Sequence, residues 1–579
     1  MRAAWKLSKY LKPYKHFAIL APILMVLEVV MDLIQPTIIQ KIIDEGIAAN
    51  DTPHIIAMFA AMMACAIIGW LGGAGCSYFS SKAAVNFASD VREDLYETIT
   101  YFSNTNKDRF TLGKLITNLT NDIEMLQRAL NMLLKIFVRG PLMFVGAVIV
   151  VFITARELFS VLFFVVPVLI ICLYLFIKLS ISLFRKVQEA IDQINIRVQE
   201  NLAGIRVIKA FNCMRHQVEQ FAGINQALTM RNMTAEQVIA ALMPITQFVV
   251  NAGIVLALAL GGIKVEAGVM EVGVIVAFIN YLMMIMNGLM SSSNVLIQIA
   301  RAIPSAERVV VVLEELPEIT NADQPVKKEI RGDVKFENVS FSYNKHVEPV
   351  LKNISFEAKA GSTVGIIGMT GSGKSTLMKL LARLMDVDEG TIYIDGIPIR
   401  QYDLETLRGA MAFAPQKATL FSTTIEENLK YGKMDATKEE IREALAASDA
   451  YEFVEKLDKK EQHVLTQGAT NLSGGQKQRL AMSRALIRKP KILVLDDTTS
   501  AVDSITEKMI QSNMKKALKG STKFIVASKI SSIKDADLIL VLEDGRLVAQ
   551  GTHEELLKTS VHYQEIMASQ AEKGGVLNE

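Results

Sequence analysis

The chain has 579 residues, of which 51% are hydrophobic, and a formal net charge of only +2. A mean hydropathy of +0.29 is high for a soluble protein, and the near-zero charge gives no electrostatic reason to expect a nucleic-acid partner. The four cysteines show no CxxC spacing, so neither a zinc site nor a disulfide framework is indicated.

The apolar excess lies in the first half of the chain, in six stretches that are long enough to cross a bilayer. They lie at about 17–39, 55–80, 136–155, 158–177, 238–263 and 272–297. The basic start leads directly into the first stretch, which favours a cytoplasmic N-terminus and no cleavable signal peptide. Six crossings return the chain to the cytoplasm. We therefore expect a multi-pass protein of the cell membrane, bacterial inner or plasma, with a lipid bilayer around residues 1–312.

The connections between these stretches differ in length on the two sides. Those at 40–54, at Arg156–Glu157 and at 264–271 are short, whereas 81–135 and 178–237 are long and charged and have a helical pattern. The long segments indicate helices that continue past the bilayer and fold back at turns. Candidate turns lie near 104–112 and 200–211.

Several polar side chains fall within the apolar stretches, where they should face the bundle interior or a wet cavity. Glu28 and Asp32 are spaced i,i+4, as are Gln247 and Asn251; Asn280, Asn287 and Asn294 are spaced by seven. Hydrogen bonding between helices for packing alone is the alternative, and it is as good an explanation for the amides. We interpret all seven as candidate residues of a small-molecule cavity.

The second half begins after a polar linker at 313–332 that is punctuated by prolines. A domain at 333–571 and a flexible tail at 572–579 would complete the chain. An alternating apolar pattern from Val334 ends at Tyr343, an aromatic residue that could stack on a base or belong to a core.

The sequence Gly368–Thr376 reads G-x-x-x-x-G-K-[ST] between a predicted strand and a predicted amphipathic helix. In such a loop the backbone N–H groups can surround phosphate oxygens at the helix N-terminus. Lys374 is placed for the β- and γ-phosphates, and the Ser375 hydroxyl for Mg²⁺. A chance Gly/Ser-rich turn is the alternative.

Three further motifs follow at Phe413–Gln416, Leu472–Gln476 and Ile492–Asp496. The last is an apolar strand that ends in a carboxylate, which can bind Mg²⁺ through water together with Ser375. Leu472–Gln476 opens a helix with glycines, which suits a second phosphate contact. The combination is far more specific than any one motif.

These motifs make the chain resemble an ATP-binding cassette (ABC) exporter half-transporter over essentially its whole length. The resemblance implies an all-α membrane domain of six helices with long cytoplasmic extensions, followed by an α/β P-loop nucleotide-binding domain. It implies Tyr343 as the A-loop aromatic; Gly368, Thr370, Gly371, Ser372, Gly373, Lys374, Ser375 and Thr376 as Walker A; Gln416 as the Q-loop, also near Mg²⁺; Ser473, Gly474, Gly475 and Gln476 as the signature; Asp496 as Walker B; and Asp503 as the D-loop aspartate.

The resemblance also implies how the chain works. Two nucleotide domains would enclose two ATP molecules, each held by one chain's Walker A and the other chain's signature, so this chain must dimerise. The turns near 104–112 and 200–211 would be coupling helices, and a small amphipathic substrate would leave the cytoplasm.

Two departures from the family pattern concern hydrolysis rather than binding. Asp497 stands where the family has the glutamate that orients the attacking water, and Ser528 stands where it has the switch histidine. A catalytic base must lie within about 2.6–3.2 Å of its proton, and a misplacement of about 1 Å can cost roughly a hundredfold in rate. We therefore expect a hydrolysis-impaired ATP site in this chain and a partner half-transporter that carries the glutamate and the histidine.

Other functions remain open from the sequence. A homodimeric lipid or peptide exporter with slow but sufficient activity, or an ATP-gated regulatory subunit, would fit the same motifs. Importers mostly keep the two domains on separate chains, and DNA-repair relatives of the cassette lack membrane spans.

Overall fold

The computed structural model describes residues 2–344, 347–499 and 502–575, which divide into two compact units. The first unit comprises residues 1–100 and 112–315, and the second comprises 101–111 and 316–579. The side chain of Asn294, one of the predicted cavity residues, lies outside the described residues.

The first half of the chain folds into helices. They are α1 (Arg2–Leu7), α2 (Lys15–Lys41), α3 (Thr52–Thr100), α4 (Asn104–Arg109), α5 (Leu112–Thr117), α6 (Ile123–Thr154), α7 (Phe159–Ala203), α8 (Ile205–Ala210), α9 (Met214–Glu266) and α10 (Val272–Leu313). Six helical segments of the described chain are long and apolar enough to cross a membrane. The prediction of six spans in an all-α domain is confirmed.

Three of these helices are far longer than a bilayer requires. α3 has 49 residues, α7 has 45 and α9 has 53, whereas about 20 residues span the hydrocarbon core. The excess carries each helix beyond the membrane. The short helices α4 and α8 occupy the two predicted turns, so the chain folds back where the sequence indicates.

Helices α6 and α10 approach each other backbone to backbone. A Cβ atom on Gly140 would lie 2.9 Å from the carbonyl oxygen of Gly288, and one on Gly288 would lie 2.8 Å from that of Gly140. Small residues at a crossing allow this close packing inside a membrane, where apolar surface alone gives helices little reason to associate. The Tyr281 hydroxyl donates to the carbonyl of Leu33 at 2.8 Å and fixes α10 to α2.

The second unit is built on two sheets. Its strands are β1 (Val334–Phe341), β2 (Leu351–Ala358), β3 (Thr363–Gly368), β4 (Glu389–Ile394), β5 (Ile397–Pro398), β6 (Met411–Ala414), β7 (Ile492–Asp496), β8 (Thr522–Val526), β9 (Leu538–Glu543) and β10 (Arg546–Gly551). The larger sheet has the order β10-β9-β3-β8-β7-β6, and every neighbouring pair in it except β10–β9 is parallel. The smaller, antiparallel sheet has the order β2-β1-β4-β5.

Helices surround the larger sheet. They are α11 (Lys374–Leu381), α12 (Leu404–Gly409), α13 (Ile425–Lys430), α14 (Lys438–Ala447), α15 (Tyr451–Glu455), α16 (Gly474–Leu486), α17 (Ser504–Ala517), α18 (His553–Thr559) and α19 (Val561–Gly575). Because β3, β7 and β8 run parallel, the chain leaves all three at one edge of the sheet, where α/β proteins place their ligands. The α/β prediction is confirmed.

The ends of the predicted domains need two corrections. The segment 101–111 groups with the second unit: the Asn106 amide nitrogen donates to the carbonyl of Leu316 at 3.2 Å, and its oxygen accepts from the N–H of Glu318 at 3.3 Å. This turn is therefore hydrogen-bonded to the linker. The tail predicted from residue 572 starts too early, because α19 continues to Gly575; 576–579 lie outside the described residues.

A charged cluster lies within the helical unit, formed by Glu28 and Asp32 on α2 and by Arg139 on α6. The guanidinium of Arg139 lies 3.2 Å from the Glu28 carboxylate and 3.3 Å from that of Asp32. The two carboxylate side chains are 15% and 25% exposed. Each acidic group therefore has its counter-charge inside the same chain, and α2 is joined to α6.

We predict that Arg139→Leu destabilises the helical unit, because it leaves two largely buried carboxylates uncompensated. The expected loss is about 2 kcal/mol, below the full cost of a broken buried pair since Arg139 is partly solvated. Thermal unfolding in detergent measures it. Arg128→Leu on α6, whose side chain is 67% exposed, is the matched control and should change little.

Adding Glu28→Gln and Asp32→Asn to Arg139→Leu should restore most of the lost stability. An unfolding midpoint as low in this triple variant as in Arg139→Leu alone would contradict the assigned charge compensation.

Candidate nucleotide site

At two positions in the loop between β3 and α11, the backbone conformation or its close packing requires glycine. A Cβ on Gly368 would lie 2.0 Å from the carbonyl oxygen of Leu542, and Gly373 has a left-handed φ of +94° at the start of α11. The loop is thereby held close against β9, with the N–H groups of α11 at its end. This is the geometry in which backbone donors can surround phosphate oxygens.

The Lys374 ammonium group lies over this loop. Its Nζ donates to the carbonyl oxygens of Gly368 at 2.8 Å and Met369 at 2.7 Å. Burial lowers the pKa of Lys374, while the nearby carboxylates of Asp497 and Asp496 raise it. A phosphate would exchange these two neutral acceptors for charged oxygens, which form stronger hydrogen bonds with an ammonium group.

Ser375 and Asp496 meet at the same edge of the sheet. The Ser375 hydroxyl donates to the Asp496 carboxylate at 2.9 Å, and burial raises the pKa of that carboxylate while the hydrogen bond lowers it. One hydroxyl and one carboxylate are hard oxygen donors, which suit Mg²⁺ because it keeps several waters and takes phosphate oxygens as further ligands. Within the described residues, no group of three or more His, Cys, Asp or Glu side chains could hold a metal alone.

The two residues that depart from the family pattern also meet here. The Asp497 carboxylate accepts from the Ser528 hydroxyl at 3.2 Å and from the Gln416 amide at 3.2 Å. Asp497 has a left-handed φ of +49°, and its N–H donates to the carbonyl of Val526 at 3.0 Å. Such a backbone is rare for a non-glycine residue and typical of functional sites. Gln416 is thus bound to Asp497 rather than to the Ser375–Asp496 pair.

These contacts hold the Asp497 carboxylate in place. The Ser528 hydroxyl donates to one of its oxygens and the Gln416 amide to the other. Ser528 is neutral and short and cannot supply the positive charge or the reach of an imidazolium ring.

Tyr343 lies beside the start of α11. Its hydroxyl oxygen is 3.1 Å from the Thr376 hydroxyl oxygen, and its ring packs edge-on against Phe341. The side chain is 48% exposed, so one part of the ring remains open for a base. The structure therefore brings Tyr343 to the loop, as the sequence predicts.

The signature residues are not joined to this loop. No hydrogen bond among the described residues links 472–476 to 368–376. Ser473 caps α16 instead: its hydroxyl accepts from the N–H of Gln476 at 3.3 Å, and the Gln476 side chain accepts from the N–H of Ser473 at 2.8 Å. This reciprocal pair leaves the N–H groups of Gly474 and Gly475 at the open helix end.

Asp503 is an N-cap as well. Its carboxylate accepts from the N–H groups of Ile505 at 3.1 Å and Thr506 at 3.0 Å, and these bonds lower its pKa. A structural role at the start of α17 therefore accounts for this residue in the single chain.

The predicted cavity amides that the structure describes have a partner on their own helix or are exposed. Gln247 donates to Asn251 at 3.0 Å on the same helix, and Asn280 donates to the carbonyl of Val276 at 2.9 Å. Asn287 is exposed. The structure therefore does not gather these amides into one cluster with Glu28 and Asp32.

Sequence reasoning missed Glu507, a buried glutamate on α17 that is 5% exposed. Its carboxylate accepts from the Thr499 hydroxyl at 2.7 Å and from the Ser532 hydroxyl at 2.5 Å. Thr499 follows Asp497, and Ser532 follows Ser528, so Glu507 joins the two loops whose side chains meet at Asp497. A carboxylate in the first turn of an amphipathic helix gives no sequence signal of such a role, because acidic residues are common there. Arg139 was missed too, although it is the one charge within the predicted span 136–155.

Comparisons with known proteins agree with this geometry. Residues 18–290 match the family described as ABC transporter transmembrane region, and residues 351–500 match the family described as ABC transporter. The chain is 37% identical to the uncharacterized ABC transporter ATP-binding protein YfiB of Bacillus subtilis, over 98% of this chain and 99% of that protein. It is 34% identical to the uncharacterized protein Rv1273c of Mycobacterium tuberculosis, again over 98% and 99%. A solved bacterial Atm1-family ABC exporter with ATP bound superposes with a TM-score of 0.80 and 25% identity, covering 96% of this chain and 98% of that one.

We predict that Glu507→Leu destabilises the second unit by about 2 kcal/mol, because two hydroxyl groups lose their buried acceptor. Glu507→Gln keeps an acceptor oxygen and should retain most of the stability. Thermal unfolding of the full chain measures both. Glu554→Leu, an exposed glutamate at the start of α18, is the control, and an effect equal to that of Glu507→Leu would argue against the bridge.

Proposed function

This chain belongs to the ABC transporter family as an exporter half-transporter, and we propose that it works as the subunit with the impaired ATP site in a heterodimeric exporter. Its membrane and ATP-binding domains lie on one chain, which leaves the second membrane domain and the second cassette to a partner. The partner would be a half-transporter that carries the glutamate and the histidine. The membrane would be the cell membrane, with the cassette in the cytoplasm.

One observation carries the proposal: the contact between Asp497 and Ser528. The groups that would bind ATP lie together, namely the loop backbone, Lys374, Ser375 and Asp496. The groups that would activate water are replaced by a short carboxylate and a neutral hydroxyl, hydrogen-bonded to each other at 3.2 Å. The residues that would bind ATP are thus kept, and the residues that would hydrolyse it are changed. This is expected for a subunit that retains ATP while its partner hydrolyses it.

Each part of the site would have a definite role. Lys374 and the loop N–H groups would bind the phosphates, Tyr343 would stack on the base, and Ser375 and Asp496 would hold Mg²⁺. Mg²⁺ would offset the charge of the phosphate oxygens. The open N-terminus of α16 behind Ser473 would complete the partner's ATP site, where its N–H groups and the helix dipole favour an anion.

Transport would follow from closing and opening of the two cassettes. The turn α4, tied to the linker through Asn106, would move with the cassette, and α8 would make the corresponding contact with the partner. The exported compound would be small and amphipathic.

We predict that the chain purified without a partner binds ATP but turns it over slowly. Asp497→Glu together with Ser528→His should raise turnover at least about tenfold, because the longer carboxylate and the imidazole recover the reach and charge that the site lacks. Lys374→Ala is the control that abolishes binding. Vigorous turnover by the unmodified chain, abolished by Asp497→Asn, would contradict the impaired site.

We predict unequal effects of matched substitutions in the reconstituted pair. Asp497→Asn in this chain should change steady-state ATPase activity less than about threefold, whereas Glu→Gln at the partner's catalytic position should nearly abolish it. Ser473→Arg should also be severe, because a bulky cation would obstruct the partner's phosphate site. Equal losses from Asp497→Asn and from the partner's Glu→Gln would show that the sites are equivalent.

A further inference from the structure

A cavity of about 420 Å³ lies between α6, α7, α9 and α10. Its lining is mostly apolar, with large side chains such as Leu173, Phe176 and Met290. A volume of this size is within the range that takes a drug-sized ligand. The cavity lies outside the ATP site and belongs to the helical unit alone.

Two polar groups of the lining have unused bonding capacity. Ser180 on α7 is 8% exposed, and its hydroxyl has no hydrogen-bond partner in the described part of the chain. Arg301 on α10 places its guanidinium 5.5 Å from the centre of the Phe184 ring. Among the described side chains, no carboxylate forms an ion pair with Arg301. A buried hydroxyl without a partner is rare and costly, so its presence at a cavity wall points to a bound group.

These polar groups mark one end of the cavity. Ser180 lies just past the predicted span that ends at 177, and Arg301 lies just past the one that ends at 297. The apolar lining residues Leu173 and Met290 belong to the spans themselves. With the spans placed as the sequence predicts, the cavity would run from the hydrocarbon region to the cytoplasmic boundary, with its positive charge at the level of lipid headgroups.

The geometry points to a ligand that combines an apolar body with one acidic head, a carboxylate or a phosphate. The body would fill the apolar part, and the head would accept hydrogen bonds from the Arg301 guanidinium and the Ser180 hydroxyl. This deepens the proposed export function, on which it rests, by naming anionic amphiphiles as the substrate class. The carboxylates of Glu28 and Asp32 are compensated by Arg139, whereas among the described side chains Arg301 has no acidic partner.

The test uses the full chain with its partner in nanodiscs of neutral phosphatidylcholine. The probes are 11-(dansylamino)undecanoic acid and its methyl ester, which share the apolar body and differ in the acidic head. Fluorescence titration should show tighter binding of the acid than of the ester. Arg301→Gln should weaken binding of the acid about tenfold or more and leave the ester unchanged, because it removes a charge-assisted hydrogen bond.

The matched control is Arg156→Gln. Arg156, just before α7, is likewise an exposed arginine near a phenylalanine, with its guanidinium 5.8 Å from the Phe152 ring centre, but it does not line the cavity. Ser180→Ala should weaken binding of the acid about threefold. Equal effects of Arg301→Gln and Arg156→Gln, or no preference for the acid over the ester, would overturn the assignment.

Competitors separate the sources of the ligand. Displacement by phosphatidic acid in the nanodisc would identify a membrane lipid, and displacement by octyl phosphate a water-borne amphiphile; either supports the site. Displacement by inorganic phosphate at equal concentration would overturn it, because the apolar body would then contribute nothing. Binding of the acid to the isolated chain but not to the pair would also overturn it, since the partner would then fill the cavity.

ATPase activity measured on the same samples separates this inference from the proposed function. If the two ATP sites differ in activity but the acid binds no more tightly than the ester, only the ligand assignment is overturned. If the acid binds more tightly than the ester through Arg301 but the two ATP sites are equivalent, only the heterodimer proposal is overturned.

Discussion

Our proposal of an impaired ATP site depends on the hydrogen bonds that join the Asp497 carboxylate to Ser528 and Gln416. The carboxylate lies at the sheet edge where β7 and β8 end, next to Ser375 and Asp496, and it accepts from both Gln416 and Ser528. Glu507 holds the loops on either side of it through Thr499 and Ser532. These contacts keep the edge of the sheet ordered around a short carboxylate and a neutral hydroxyl. We propose that a position of this kind serves ATP binding rather than water activation.

In the membrane half, two acidic side chains in apolar surroundings are paired with an opposite charge. Glu28 and Asp32 share Arg139, so a cluster that would be costly if unpaired joins two helices instead. Among the described side chains, Arg301 has no such acidic partner. Arg139 forms ion pairs within the fold, whereas Arg301 is available to bind a ligand. Our assignment of an anionic ligand rests on this difference.

The fold could be predicted almost completely from the sequence, because six apolar stretches and four ordered motifs constrain it strongly. The meeting of Gln416, Asp497 and Ser528 was less accessible: the motifs name these residues, but only the register of β7 and β8 brings them into contact. Glu507 and Arg139 could not be assigned from local pattern, since the partners of each are distant in sequence. The domain boundary at α4 was missed for the same reason, because Asn106 bonds to residues more than two hundred positions away.

The most direct test of unequal ATP sites identifies the nucleotide on each chain during turnover. The reconstituted pair would be cycled with α-labelled 8-azido-ATP, cross-linked by light, and separated into its two chains. The bound nucleotide on each chain would then be released and analysed by chromatography. Our account predicts mainly ATP on this chain and mainly ADP on the partner. The same proportion of ADP on both chains would contradict it.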